Sequence, residues 1–438
     1  MNLVVIPLEG VSQMLLWQYR EAMPAIWRLA NQSTSFRRFY SASTSAFQSF
    51  CDFVHGDSSE LDHNLSYPSG PGCLLGRAGN LFGILEEQGY AVMGSQHGET
   101  CPEYVRGNCF GAWPEAGGRF RWHGEYDAFY AESLAFVKRA AAAGQPFALY
   151  YCDRAGTVAD NCLEKRDSRL FHQRFEKGFS LLDRSVERML AGLAELGLLG
   201  ATLIVLYGPY GMDPWKHGVF AGRTHAIEPY ADVCWTPLLF YCDGRDIQTI
   251  EGLASSIDLK ATILGILFPG RDFGPAPGRF SGVNLLTSGR NIAFTQNLFA
   301  LEQENAGPAL GLVKSYAATD GDLRLIVNSD GGIAGEGGME FYYDVRDPGN
   351  TRNLLDFFEL DKNGDMASFG RSDVVHVHFT QSFKPHLVRD MVSAYNGMRD
   401  TLKQLAKAKE GEALRHSANQ SRRLLFHDSQ FNLKRRRR

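Results

Sequence analysis

A chain of 438 residues exceeds one average domain and implies a large domain with a smaller one appended. Its 44% hydrophobic and 21% charged content excludes a disordered chain, and a net charge of −4 argues against a general nucleic-acid surface. Eight cysteines without a CxxC pair exclude a zinc ribbon, and no apolar run approaches the ~18 residues of a membrane span.

In chain order, NLVVIPL (2–8) has the continuous branched pattern of a strand buried on both faces, closed by Glu9-Gly10. Residues 23–29 fit a helix. The FRRFYSAST segment reads as a turn region, and Phe47 to Val54 as a helix. LFGILEEQGYAVMGS (81–95) predicts helix, glycine turn and strand. Residues 131–143 form a helix ended by Gly144, and PFALYYC (146–152) is the next strand. Between 171 and 199, Phe175, Phe179, Leu182, Val186, Met189, Leu190 and Leu193 recur at helical spacing. ATLIVLYG (201–208) and TPLLFYC (236–242) are strands, and 257–267 is a helix.

This alternation predicts an α/β fold, with a mostly parallel sheet sandwiched by helices. Ligands then gather beyond the carboxyl ends of the strands. The residues to inspect are Glu9, the loop after Tyr40, Gly94 to Gly98, Cys152 to Arg154 and Gly208 to His217. From about 290 the texture changes. DLRLIVN (322–328), GMEFYYDV (338–345) and VVHVHF (374–379) alternate as antiparallel strands, and 386–409 reads as an amphipathic helix. The expected organisation is an α/β core over 1–288, a smaller C-terminal α+β subdomain over 289–410 and a polar, basic tail over 411–438. The run Lys434 to Arg438 reads as a solvated tail. The chain opens directly on a strand-like run, so the expected location is cytoplasmic, with reduced thiols and no membrane span.

Four stretches together resemble the sulfatase/alkaline phosphatase superfamily. They are NLVVIPLEG, MPAIWRLANQSTSFRRFYSAS (23–43), the helix-to-strand segment 175–208, and the far pieces SSIDLKATILGIL (255–267), SGVNLL (281–286) and YYDVRDPGNTRNLL (342–355). The front half resembles the lipoteichoic acid synthase-like phosphoglycerol transferases. Glu9 follows the first strand as in that branch, and HGETCPEYVR (97–106) matches its "H-G" region with His97, Tyr104 and Arg106.

The resemblance implies an alkaline phosphatase-like fold and cleavage or transfer of sulfate or phosphate esters. That chemistry needs a hydroxyl nucleophile ionised by a divalent metal, hard ligands for the metal, and donors for the anion. Glu9 is the candidate acidic ligand; its structural alternative is a carboxylate capping a turn. Counting back from Gly56 places Ala46 at the nucleophile position and Ser49 on the family's following serine. Thr44 and Ser45 are candidate nucleophiles if the loop is shifted by one or two residues, and candidate helix N-caps otherwise. Where relatives end the strong strand with Asp and His or Asn, this chain has Pro209-Tyr210, neither a good ligand for a hard cation. Asp213 and His217 follow as a displaced ligand pair or as solvated loop residues. His97, Arg106 and His225 are candidate anion binders. His123, beside Trp122, reads as a substitute for a substrate His or as a packed or solvent-facing side chain, and His376 and His378, on one strand face, as structural or exposed.

Two main functions follow, beside a third in which the basic tail Lys434 to Arg438 of an assembly factor recruits an acidic partner. One is a metal-dependent sulfuric or phosphoric ester hydrolase or transferase with Mn, Mg, Ca or Zn. The other is a pseudoenzyme without cofactor that binds a small anionic sugar or lipid headgroup, or serves as a scaffold. Neither reading involves nucleic acid, and the oligomeric state is open.

Overall fold

The computed structural model describes residues 1–44, 46–58, 79–98, 120–154, 171–213, 229–244, 247–274, 281–297, 315–328, 339–344, 346–354, 358–360 and 366–369. Its centre is β1 (Asn2–Pro7). Odd residues Leu3 and Val5 enter the core on one face of the sheet, and Val4 and Ile6 enter the core on the other. Both faces are apolar because both are covered, which is why the strand reads as an unbroken hydrophobic run.

Around β1 lie β2 (Thr34–Tyr40), β3 (Ala91–His97), β4 (Phe120–His123), β5 (Phe147–Asp153), β6 (Thr202–Tyr207), β7 (Leu238–Tyr241) and β8 (Thr249–Ser255). They form one eight-stranded sheet in the order β4-β3-β5-β1-β6-β7-β2-β8. All neighbours pair in parallel except β7, which is antiparallel to both β6 and β2. The FRRFYSAST segment is therefore largely strand β2, not a turn. Phe36, Phe39 and Tyr40 bury into the core, while a bulge between Phe36 and Arg38 breaks the alternation that would have revealed it.

One face of the sheet is covered by α1 (Gln13–Gln18), α2 (Pro24–Ala30), α5 (Tyr126–Ala142) and α6 (Phe171–Glu195). The other is covered by α3 (Ala46–His55), α4 (Leu81–Glu87) and α8 (Leu259–Leu267), and the short α7 (Ala231–Cys234) lies before β7. Of the α6 stripe seen in the sequence, Phe175, Phe179, Leu182, Val186, Met189 and Leu193 are fully buried and Leu190 is partly buried. Its Asp183 turns inward and accepts the backbone N–H groups of Ala25 (3.1 Å) and Ile26 (2.7 Å), capping α2 from another helix.

A second sheet, β12-β11-β10-β9, is wholly antiparallel: β9 (Ala293–Asn297), β10 (Ser315–Thr319), β11 (Leu323–Asn328) and β12 (Met339–Tyr343). The pair β13 (Phe358–Leu360) and β14 (Met366–Phe369) follows. The expected strand at 374–379 and helix at 386–409 lie outside the described residues. Arg324 of β11 is fully buried and ties the two sheets together. Its guanidinium binds Asp344 twice (2.7 and 3.1 Å), donates to the Pro229 carbonyl (3.0 Å) and lies over the Tyr40 ring. Asn350, from the DPGNTRNL segment, accepts the Ala231 N–H at 2.6 Å at the start of α7. Among the described residues no helix is long and apolar enough to cross a membrane.

Candidate functional site

Three segments meet at the carboxyl rim of the main sheet: the end of β1 with Glu9, the loop after β6, and the loop between β2 and α3. Leu8 N–H donates to Tyr207 O (2.8 Å) and Gly10 N–H to Tyr210 O (3.1 Å), so the β6 loop runs alongside the β1 end. Gly10 has φ +76°, a conformation open to glycine, and that turn leaves the Glu9 side chain among the strand ends. From the other side, Ser41 Oγ and Ser49 Oγ both lie against the Pro209 carbonyl and 2.8 Å from each other, and Ser41 Oγ also reaches the Ser43 carbonyl at 2.6 Å.

Glu9 is buried, and its carboxylate is surrounded by donors. Arg154 Nε donates to Oε2 at 2.8 Å, Tyr210 hydroxyl to the same oxygen at 3.2 Å, and Cys152 thiol to Oε1 at 3.6 Å. The parallel pairing of β1 with β5 brings Arg154 there: Leu3 faces Ala148 and Val5 faces Tyr150, so the two strands run side by side toward the same rim, where Glu9 and Arg154 follow their ends. The Glu9 charge raises the Arg154 pKa against the opposing effect of burial, so the guanidinium is a permanent cation. Burial, followed by the Glu9 charge, pushes the Cys152 thiol well up and keeps it protonated as a donor.

One strand further out, His97 at the end of β3 pairs with the buried Asp153 at the end of β5 through Nδ1 at 2.8 Å. Its ring stacks on Phe129, with Tyr126 at its edge. His123 follows on β4, in register with His97, buried and with Nε2 unpartnered. Burial lowers its pKa, so it is neutral at pH 7.

Thr44 is fully buried two residues before α3, and its hydroxyl has no hydrogen-bond partner. Ser43 Oγ donates to Asp52 Oδ2 at 2.5 Å. Ala46 is the first residue of α3. Asp213 is buried at the end of the described β6 loop. Ser45, Arg106, His217 and His225 lie outside the described residues. The structure thus brings Glu9 and the β6 loop together with the loop that carries Thr44, and sets His97 on the same rim. The partners it adds are Arg154, Tyr210, Cys152 and Asp153. The strand order was the signal that could have found Arg154, since it stands one residue past a strand that flanks β1.

The donor set around Glu9 does not fit a hard divalent cation. Such an ion takes several oxygen ligands, or His nitrogens with carboxylates. Here one carboxylate oxygen is already shared by a guanidinium and a phenol. Among the described residues no three His, Cys, Asp or Glu side chains converge to hold a metal.

The parallel sheet with a single antiparallel strand, the helices on both faces and the appended antiparallel sheet are the architecture of the sulfatase/alkaline phosphatase superfamily, and solved structures with this fold match the chain over most of its length. A 2-O GAG sulfatase superposes with a TM-score of 0.67 at 13% identity, covering 92% of this chain and 93% of its own. A protein solved with its substrate D-glucosamine-2-N,6-O-disulfate gives 0.59 at 11% identity, covering 92% and 98%. The lipoteichoic acid synthase LtaP of Listeria monocytogenes gives 0.57 at 14% identity, covering 90% and 91%. No protein-family model and no curated protein sequence matches the chain. At these identities the likeness fixes the fold, while activity has to be argued from the site.

Proposed function

We propose that the protein is a non-catalytic binding protein on a sulfatase-like scaffold, whose strand-end rim takes an anionic sugar or lipid headgroup without cleaving it. The observation that carries this reading is the closure of Ser41 and Ser49 onto the Pro209 carbonyl. In active relatives, by the resemblance set out above, that corner holds a metal ligand from the strand end and a nucleophile from the helix start. Here it holds a neutral carbonyl, two serine hydroxyls packed against it, and Ala46. Without a metal or a base to ionise it, a serine or threonine hydroxyl is not a nucleophile at neutral pH. The ligand class is taken from the neighbours: one was solved with a sulfated glucosamine, another is a lipoteichoic acid synthase.

The test is a turnover screen with aryl sulfates, aryl phosphates, phosphodiesters and phosphonates in Mn, Mg, Ca and Zn buffers. It is paired with thermal-shift titrations of sulfated glucosamine and glycerol phosphate. The reading expects stabilisation by one ligand class with no consumption. The enzyme reading rests on one observation, the unpartnered buried hydroxyl of Thr44. Turnover that disappears in Thr44→Ala would establish it and remove the binding-protein reading.

A further inference from the structure

Resting on the non-catalytic reading but reaching a different property, we infer that Arg154 is the built-in replacement for a divalent cation at Glu9, so that the rim is metal-independent by construction.

Glu9 sits at the end of the central strand, where burial would leave its charge uncompensated. A buried carboxylate in that position has to be neutralised by a proton, an ion or a fixed cation. The fixed cation is present. Arg154 Nε lies 2.8 Å from Oε2, and the two side chains are only 22% and 5% exposed. It stands one residue past the end of β5, the strand that pairs in parallel beside β1. The remaining contacts complete the shell: the Tyr210 phenol on the same oxygen, and the Cys152 thiol on the other.

Tyr210 stands in the Pro209-Tyr210 pair that the resemblance aligns with the family's Asp-His/Asn ligands. The same loop position that would have supplied metal ligands instead supplies a neutral donor that complements the carboxylate. A metal bound to Oε2 would have to expel both the guanidinium and the phenol, and a displaced arginine would stand beside the incoming dication. Arginine also suits the role chemically. It cannot lose its charge at any working pH, and its planar N–H groups match a carboxylate.

The experiment uses the full chain. Elemental analysis and denaturation midpoints are measured after dialysis against EDTA and after return of Mn, Mg, Ca or Zn. The same measurements are made on Arg154→Met, Glu9→Gln and the double variant. The inference expects no stoichiometric metal and a midpoint unchanged by EDTA. It expects Arg154→Met to lower the midpoint by roughly 4–10 °C, and the double variant to regain at least half of that loss, because the stranded charge is gone. A stoichiometric metal that Glu9→Gln releases, with the midpoint falling on chelation, would overturn it. So would single-variant losses that simply add.

The two readings fail separately. A bound metal without turnover removes the arginine substitution and leaves the binding-protein reading standing. Turnover that persists in EDTA does the reverse.

Discussion

Arg324 offers the sharpest test of how the second sheet is held to the first. Its side chain is fully buried and its partner Asp344 is almost as inaccessible. Removing the cation in Arg324→Met leaves a buried carboxylate that keeps only neutral donors, such as the Thr319 hydroxyl at 2.5 Å. Breaking a buried pair in this way costs about 3–5 kcal/mol. The lost stacking over Tyr40 adds about 1 kcal/mol, while the Pro229 carbonyl keeps the Cys234 thiol as a donor at 3.3 Å. The expected total is therefore roughly 4–6 kcal/mol, comparable to the whole stability of many domains. Arg324→Met/Asp344→Asn removes the stranded charge and keeps an acceptor for Thr319, so it should recover at least about 2 kcal/mol. Urea unfolding followed by tryptophan fluorescence reads both, provided the slope m stays constant. A single variant within about 1 kcal/mol of the native protein, or a double variant no better than the single, would refute the idea that this ion pair clamps the two sheets.

Other substitutions test separate parts of the argument. Asp183→Ala removes two N–H acceptors at the start of α2 and should cost about 1–3 kcal/mol by the same urea assay, with Asp183→Asn in between. Gly211→Ala should destabilise by more than about 2 kcal/mol and misplace Tyr210, because a Cβ there collides with the Asp232 carbonyl and comes within 2.6 Å of Ser12 Cβ. Burial holds the His123 pKa below its unfolded value near 6.5, so the unfolded chain binds the extra proton first and stability falls as pH drops from about 7 toward 5. In His123→Phe that acid-side slope should shrink by up to about 1.4 kcal/mol per pH unit, read from urea midpoints across the range. Thr44→Val replaces an unpartnered buried hydroxyl by an isosteric methyl and should be neutral or stabilising by about 1 kcal/mol.

How far the sequence reaches depends on whether the information is local. The strands β1, β5 and β6 and the helix α6 were legible because burial on two faces, or on one stripe, writes itself into continuous or periodic apolar residues. Strand β2 was not, because Arg37 and Arg38 interrupt its alternation at the bulge, and the reversed direction of β7 leaves no mark on a four-residue apolar run. In the site, Glu9 could be picked out from its place after the first strand. The convergence of its loop with those after β2 and β6 was also foreseeable from the carboxyl-edge rule. The identity of its partner was hidden, because Glu9 and Arg154 are 145 positions apart and meet only through the order β5-β1-β6.

That order also links two features that lie far apart in the sequence, Arg154 and Pro209-Tyr210. The place beside Glu9 is filled by whichever residue follows β5, and the place above it by whichever residues follow β6. If the residue at 154 were neutral, the carboxylate would be left buried and uncompensated, and a cation with ligands from 209 and 210 would be required to stabilise it. With arginine at 154, the same ligands would crowd a second positive charge into a compensated site, and neutral groups such as the Tyr210 phenol and the Pro209 carbonyl become the favourable occupants. Arg154 and Pro209-Tyr210 are then one electrostatic solution and not two independent features. Consequently, introducing Asp at 209 and His at 210 in the presence of Arg154 should yield neither tight metal binding nor turnover. The same pair introduced together with Arg154→Ser should bind Mn or Zn measurably more tightly by calorimetry, and equal affinities in the two backgrounds would show that the residues are uncoupled.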